Sequence, residues 1–237
     1  MIRTIIFFLY FWLFLIFSLF IYGFYLAIKL INPDLGNKIL LILVKWWARN
    51  VLRIGGIKVN LMGAENIPKN KDVCFVSNHQ SNFDIVVTVV SLPMIFGFIA
   101  KYELKKFLPL RVWMDEISCL FINRSKPKDA IRVVKERIEY IKNHKPLLIF
   151  PEGKRSRNKN MIEFKTGSLK LLIEQGIEIV PITIKNSYLR YEVNNKITPG
   201  IIDVVVHESI KTMDLQDLEI DLIIDKIYKT IEAGLVA

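Results

Sequence analysis

The stretch VCFVSNHQSNFDIVV, Val73 to Val87, decides how this chain is built. It opens with a short β-branched and aromatic run, Val73 to Val76, which suits a buried strand. It closes on Ile85, Val86 and Val87, the start of an apolar segment that reaches Ser91 and suits a helix. Between them lie small polar residues, one histidine and one carboxylate, His79 and Asp84. A strand passing through a polar turn into a helix is the repeating unit of an α/β sheet.

The same alternation extends to either side. Further strand candidates are Ile57–Met62, Gly97–Ala100, Cys119–Ile122, Leu147–Phe150, Ile179–Ile184 and Ile201–His207. Helix candidates are Ile85–Ser91, Lys128–Asn143, Ser168–Gln175 and Asp214–Glu232. The pattern predicts an α/β fold: a largely parallel, mixed β-sheet flanked by helices. Pro181 inside the sixth strand candidate predicts an edge position or a bulge, because proline cannot donate to a ladder. No internal repeat interrupts the pattern.

Ahead of Gly55-Gly56 the composition changes. Ile5 to Ile28 carries no charge and is dense in Phe, Leu, Ile, Tyr and Trp. As a helix it is roughly 36 Å long, enough to cross a hydrocarbon core. Its length and its lack of an Ala-x-Ala exit favour a retained membrane anchor over a cleaved signal. "INPDLGNK", Ile31 to Lys38, reads as a turn, and Ile39 to Ile54 as a second helix. Lys45, Arg49 and Arg53 share one face of that helix, beside Trp46 and Trp47. This suits either a membrane interface or packing on the domain that follows. The expected division is 1–56 as membrane-anchoring helices and 57–237 as the catalytic α/β domain.

The chain of 237 residues carries a net charge of +10 and 52% hydrophobic residues, and its mean hydropathy is +0.33. Beside a membrane segment, such a basic balance points to an anionic lipid surface or a phosphorylated substrate. Nucleic acid is disfavoured because the basic loops lack interleaved aromatics. The two cysteines, Cys74 and Cys119, lie in apolar runs and match no metal-ligand spacing.

His79 and Asp84 admit two readings. Across a turn the carboxylate can hold the imidazole tautomer and leave the other ring nitrogen as a base. Alternatively, Ser81-x-x-Asp84 is a helix-capping pattern with His79 a bystander. "FPEGKRSRNK", Phe150 to Lys159, places Gly153 beside Lys154, Arg155 and Arg157, a phosphate-binding composition or a solvated loop. Arg124, after "SCLFIN", and Lys101, in "IAKYEL", also follow strand candidates.

The order of these elements resembles the membrane-bound glycerolipid acyltransferases, specifically the 1-acylglycerol-3-phosphate acyltransferases. Asn78, His79 and Asp84 match the first motif, Asn-His-x4-Asp. Phe121-Ile122-Asn123-Arg124 matches the second, Phe150 to Ser156 the third, and Val180-Pro181-Ile182 the fourth. Phe164-Lys165-x-Gly167 is also family-like. The chain departs from the pattern at Ser118, where the second motif usually has glycine, and at Lys154, where the third usually has threonine. The resemblance implies acyl transfer from acyl-CoA or acyl-ACP to a lysophosphatidate hydroxyl, with His79 as base and Asp84 as its orienting acid. It implies a substrate-binding set of Arg124, Glu152, Gly153, Lys101, Arg155 and Asn78, with Glu152 bonding a glycerol hydroxyl. No metal and no cofactor are expected, the thioester being a substrate. The implied setting is a membrane lipid partner and an active site on the cytoplasmic face of a bacterial-type inner membrane. Rival readings are the same chemistry on another acceptor (glycerol-3-phosphate, a lysophospholipid or a lyso-aminolipid), a cysteine-dependent acyl hydrolase, and a non-catalytic module binding anionic membranes.

Overall fold

The computed structural model describes residues 1–69, 72–123, 127–143, 145–213 and 217–236, the side chains of 127–130 and 217–218 excepted. Seven strands form one sheet: β1 (Ile57–Met62), β2 (Val73–Ser77), β3 (Gly97–Lys101), β4 (Leu120–Ile122), β5 (Leu147–Ile149), β6 (Glu178–Lys185) and β7 (Gly200–Val206). The helices are α1 (Ile2–Ile31), α2 (Pro33–Gly55), α3 (Phe83–Ser91), α4 (Leu108–Glu116), α5 (Pro127–Lys142), α6 (Gly167–Glu174) and α7 (Asp217–Val236). The strand order is β1-β7-β6-β2-β5-β3-β4. All neighbours are parallel except β6 and β7. The largely parallel mixed sheet read from the sequence is therefore the observed architecture.

Strand alternation explains the three layers. Along β2, Val73 and Phe75 join a core with Phe7, Val51, Leu52, Phe83 and Val87, contributed by α1, α2 and α3. Cys74 and Val76 point the other way, into a core with Ile138, Leu169, Leu172, Ile224 and Ile227 from α5, α6 and α7. Both faces are covered, so all five β2 residues are buried, as the apolar run Val73–Val76 requires.

Three local readings are corrected. The "INPDLGNK" turn is a helix start: Asn32 caps α2, its side chain accepting Leu35 N–H at 3.0 Å, with Pro33 at the first helical position and Asp34 in the first turn. Pro181 is neither at an edge nor in a bulge, since β6 lies between β2 and β7. It is tolerated because the antiparallel ladder with β7 begins at Ile182. Its carbonyl still accepts His207 N–H at 3.0 Å. Helix α4 had no counterpart among the sequence candidates; Pro109 sits in its first turn, where a missing N–H costs nothing.

Ser118 adopts φ 62. This left-handed conformation strains any residue with a Cβ, which gives a physical reason for the glycine that the resemblance leads one to expect there. The turn runs close to β3: a Cβ on Gly97 would lie 2.2 Å from the Ser118 carbonyl oxygen.

Helix α1 is long and apolar enough to cross a membrane, yet it docks on the domain along its length. Phe7 meets Phe83 at 5.7 Å and Phe8 meets Tyr191 at 5.7 Å. Further along, Ser18 accepts Trp113 Nε1–H at 2.9 Å. Tyr22, Tyr25 and Lys29 all donate to the Glu116 carboxylate at the end of α4. The opposite face, with Ile5, Leu9, Leu13, Ile16, Phe20 and Phe24, is exposed.

Candidate active site

The C-terminal ends of β2, β5, β3 and β4 share one edge of the sheet, because these strands are mutually parallel. Such an edge is where open α/β sheets place their ligands. β2 delivers His79, β5 delivers Glu152 and Gly153, and β3 ends on Lys101. Arg124, which follows β4, lies outside the described residues.

His79 is fixed at four places. Its Nδ1 lies 2.7 Å from Asp84 Oδ2. Its main-chain N–H donates to Glu152 Oε1 at 2.7 Å, and its carbonyl accepts Ser156 N–H at 2.7 Å. Its ring stacks on Phe150, with centroids 4.1 Å apart and planes at 20°. The side chain keeps 12% exposure. Its Nε2 bonds to no described residue.

Asp84 meets the imidazole and also reaches back to the turn, although the cap of α3 is Asn82 rather than Ser81 and makes no side-chain cap bond. Asp84 Oδ2 also accepts Gln80 N–H at 2.7 Å and Ser81 N–H at 2.8 Å. The helix start therefore positions the same oxygen that meets the imidazole. Asp84 is fully buried; three groups converge on Oδ2, while Oδ1 is buried and meets no hydrogen-bond partner among the described residues. With Nδ1–H committed to the carboxylate, a neutral ring presents its lone pair at Nε2.

Asn78 is also fully buried. Its Nδ2 donates to the Ile184 carbonyl and its Oδ1 accepts Ile184 N–H, both at 2.8 Å. This two-way bond carries the β2–β6 pairing one step beyond Ser77 (whose partner is Ile182). Glu152 is 1% exposed, and its second oxygen accepts Ile162 N–H at 2.9 Å. Burial pushes its carboxyl up to about 7, against the opposing pull of these two N–H donors.

Gly153 has φ 70, and a Cβ there would meet the Lys165 side chain at 3.2–3.3 Å. The left-handed turn thus brings Lys165 over the loop. Lys101 is 53% exposed and pairs with Glu103 at 3.1 Å. Arg155 is 25% exposed and pairs with Glu192 at 2.8 Å. Glu192, absent from the sequence candidates, also accepts Ser81 Oγ–H at 3.2 Å. Nothing local marks it: it lies in an irregular segment after β6, 111 residues from Ser81.

Beside the site, a cavity of about 430 Å³ opens between α1, α2, α3 and α4. Its walls are almost wholly apolar and include Phe11, Trp47, Val86, Phe98, Trp113 and Met114. Asn82 and Phe83 line it too, immediately before Asp84. Cys74 and Cys119 are buried, and burial pushes both thiols up, away from the reactive thiolate.

The chain is similar to known acyltransferases in sequence and in fold. The 1-acyl-sn-glycerol-3-phosphate acyltransferase of Borreliella burgdorferi is 28% identical over 186 residues, covering 76% of this chain and 74% of that protein. A probable 1-acyl-sn-glycerol-3-phosphate acyltransferase of Mycoplasma pneumoniae is 35% identical over 141 residues, 57% of this chain and 52% of that one. The crystal structure of the 1-acyl-sn-glycerophosphate (LPA) acyltransferase PlsC from Thermotoga maritima superposes with a TM-score of 0.85 at 26% identity, covering 99% of this chain and 95% of that chain. Residues 58–185, more than half of the sequence, match the model of the acyltransferase family, and the chain belongs to that family.

Proposed function

We propose that this protein transfers an acyl group from acyl-CoA or acyl carrier protein to the sn-2 hydroxyl of 1-acyl-sn-glycerol 3-phosphate, forming phosphatidate. The observation that carries the reading is His79, held through Nδ1, N–H and C=O with Nε2 left open. The relatives named for that acceptor support the choice of substrate.

An alcohol is a weak nucleophile at neutral pH and needs a positioned base. His79 Nε2 takes the hydroxyl proton as the oxygen attacks the thioester carbonyl, and Asp84 stabilises the imidazolium. The tetrahedral intermediate collapses with loss of thiolate, which recovers the proton from Nε2. No acyl-enzyme is formed. Arg124, Lys101 and Arg155 meet the acceptor phosphate, joined by Lys154 and Lys165, and Gly153 allows close approach of the chain. Glu152 and Asn78 serve the loop rather than the ligand, since their polar atoms are engaged by main chain. The apolar cavity receives an acyl tail, and its depth sets the preferred chain length.

Residues 1–56 act as the membrane-anchoring unit and 57–237 as the catalytic unit, although the two share one core. The exposed face of α1, with Tyr102, Leu104 and Leu108 nearby, enters the lipid. The aromatic contact of Trp12 with Phe107, at 5.2 Å, makes these two surfaces continuous. The site then faces the cytoplasmic leaflet, where acyl-CoA and acyl carrier protein are found.

The test is a panel of acceptors and donors assayed on wild type and His79→Ala together. The reading expects turnover with lysophosphatidate and its loss in the variant. Turnover confined to another acceptor, or full activity in His79→Ala, would overturn it.

A further inference from the structure

The segment after β6 carries a carboxylate that the proposed mechanism does not use. Glu192 follows a short 3-10 turn, Tyr188–Arg190, and its side chain is only 5% exposed. One oxygen, Oε1, collects three donors: Arg155 Nη1 at 2.8 Å, Ser81 Oγ at 3.2 Å and Asn82 N at 3.4 Å. Arg157 Nε lies 3.9 Å from the other oxygen. The segment around it is held in place: Glu192 N–H bonds the Tyr188 carbonyl at 2.9 Å, Thr198 N–H bonds the Arg190 carbonyl at 2.9 Å, and Tyr191 packs on Phe8.

A buried carboxylate is costly unless it is paired and hydrogen-bonded. Here the pairing joins two loops of the site. Ser81 and Asn82 belong to the turn between His79 and Asp84, and Arg155 belongs to the loop after Glu152. Fixing a long guanidinium before the ligand arrives lowers the ordering cost of binding. Nη1 engages Glu192 through one of the five N–H donors of the guanidinium, leaving donors for a phosphate.

We propose that Glu192 is a positioning residue for the acceptor: it sets the Arg155 guanidinium for the phosphate and ties that arginine to the turn bearing His79. This rests on the reading that Arg155 meets the acceptor phosphate. Two substitutions separate the two tasks. Glutamine can still accept from Asn82 N–H and Ser81 Oγ–H, but it loses the charge that holds Arg155. Alanine loses both.

The experiment is steady-state kinetics on full-length protein with lysophosphatidate and with the matching unphosphorylated 1-acylglycerol. Glu192→Gln is expected to raise KM for lysophosphatidate at least about fivefold, with kcat within about twofold and KM for the unphosphorylated acceptor unchanged. Glu192→Ala is expected to lower kcat about tenfold as well. Arg155→Gln should reproduce the KM effect, and adding Glu192→Gln to it should cost nothing more, the signature of one coupled pair. An equal rise in KM for both acceptors in Glu192→Gln would reveal a merely structural role and overturn the proposal. If Arg155→Gln raises KM and Glu192→Gln does not, the positioning idea alone fails. If Arg155→Gln leaves KM unchanged, the phosphate role of Arg155 fails, and the proposal with it.

Discussion

Glu152 Oε1 accepts the main-chain N–H of His79 at 2.7 Å, so a carboxylate from the β5 loop holds the backbone of the proposed base at the end of β2. The other oxygen holds Ile162 N–H at 2.9 Å. The first bond spans 73 residues and the second closes the loop after β5 on itself over ten, so both Glu152 oxygens are engaged by main chain.

This arrangement predicts opposite pH trends for stability and activity. Burial raises the folded-state carboxyl of Glu152 to about 7, above the value of about 4.3 expected when unfolded. Between those values the folded state holds the extra proton. Its contribution to stability is therefore full below about 4.3 and is lost as pH rises through about 7. The ionised form is the one that accepts both N–H groups well, so activity should rise over the upper part of that window. Glu152→Gln should flatten the stability slope and lower kcat, because its amide NH2 must face one of the two donors. Denaturation midpoints from about pH 5 to 8, read beside kcat, check this; an unchanged slope in the variant counts against it.

The His79–Asp84 pair predicts a catalytic loss with little unfolding for one member and both effects for the other. His79→Ala should lower kcat at least about a hundredfold while keeping a cooperative transition. Asp84→Asn should cost about 10²–10⁴ in kcat through loss of the tautomer. It should also lower stability, because Gln80 and Ser81 N–H lose their charged acceptor. Rates and thermal melts on the same samples separate the two contributions.

Asn78 should act on stability. Asn78→Ala leaves the buried N–H and C=O of Ile184 without their partner, a loss of about 2–5 kcal/mol for two orphaned groups. In whatever fraction stays folded, KM for the acceptor should be unchanged. Denaturant titration gives the first quantity and initial rates the second; a raised KM with normal stability would return Asn78 to the ligand.

Ser118 marks a place where the chain is improvable. Its φ of 62 favours glycine. Ser118→Gly should stabilise the protein by about 0.5–1 kcal/mol, since relief of strain outweighs the added freedom of the unfolded chain. For a chain of this size that raises Tm by about 1–4 °C, readable by calorimetry.

Much of this was legible along the chain because the information is local. Alternating apolar runs named seven strands, and the boundaries moved by only a residue or two. His79 and Asp84 were visible because five residues across one turn suffice to bring them together. Where the reading failed, a second layer intervened. Pro181 looked like an edge residue until the neighbouring ladder was seen to begin one residue later. The start of α2 reads as a turn because proline and glycine break helix interiors, whereas Pro33 occupies the first helical position, where no N–H is needed.

The remaining assignments depend on which strands become neighbours. The bond from Glu152 to His79 spans 73 residues and that from Glu192 to Ser81 spans 111, and no periodicity encodes such pairings. They follow from β2 lying between β5 and β6, an order set by burying both faces of the sheet at once. Local sequence set His79 beside Asp84; the strand order supplied the two buried carboxylates, Glu152 and Glu192, that hold their turn in place.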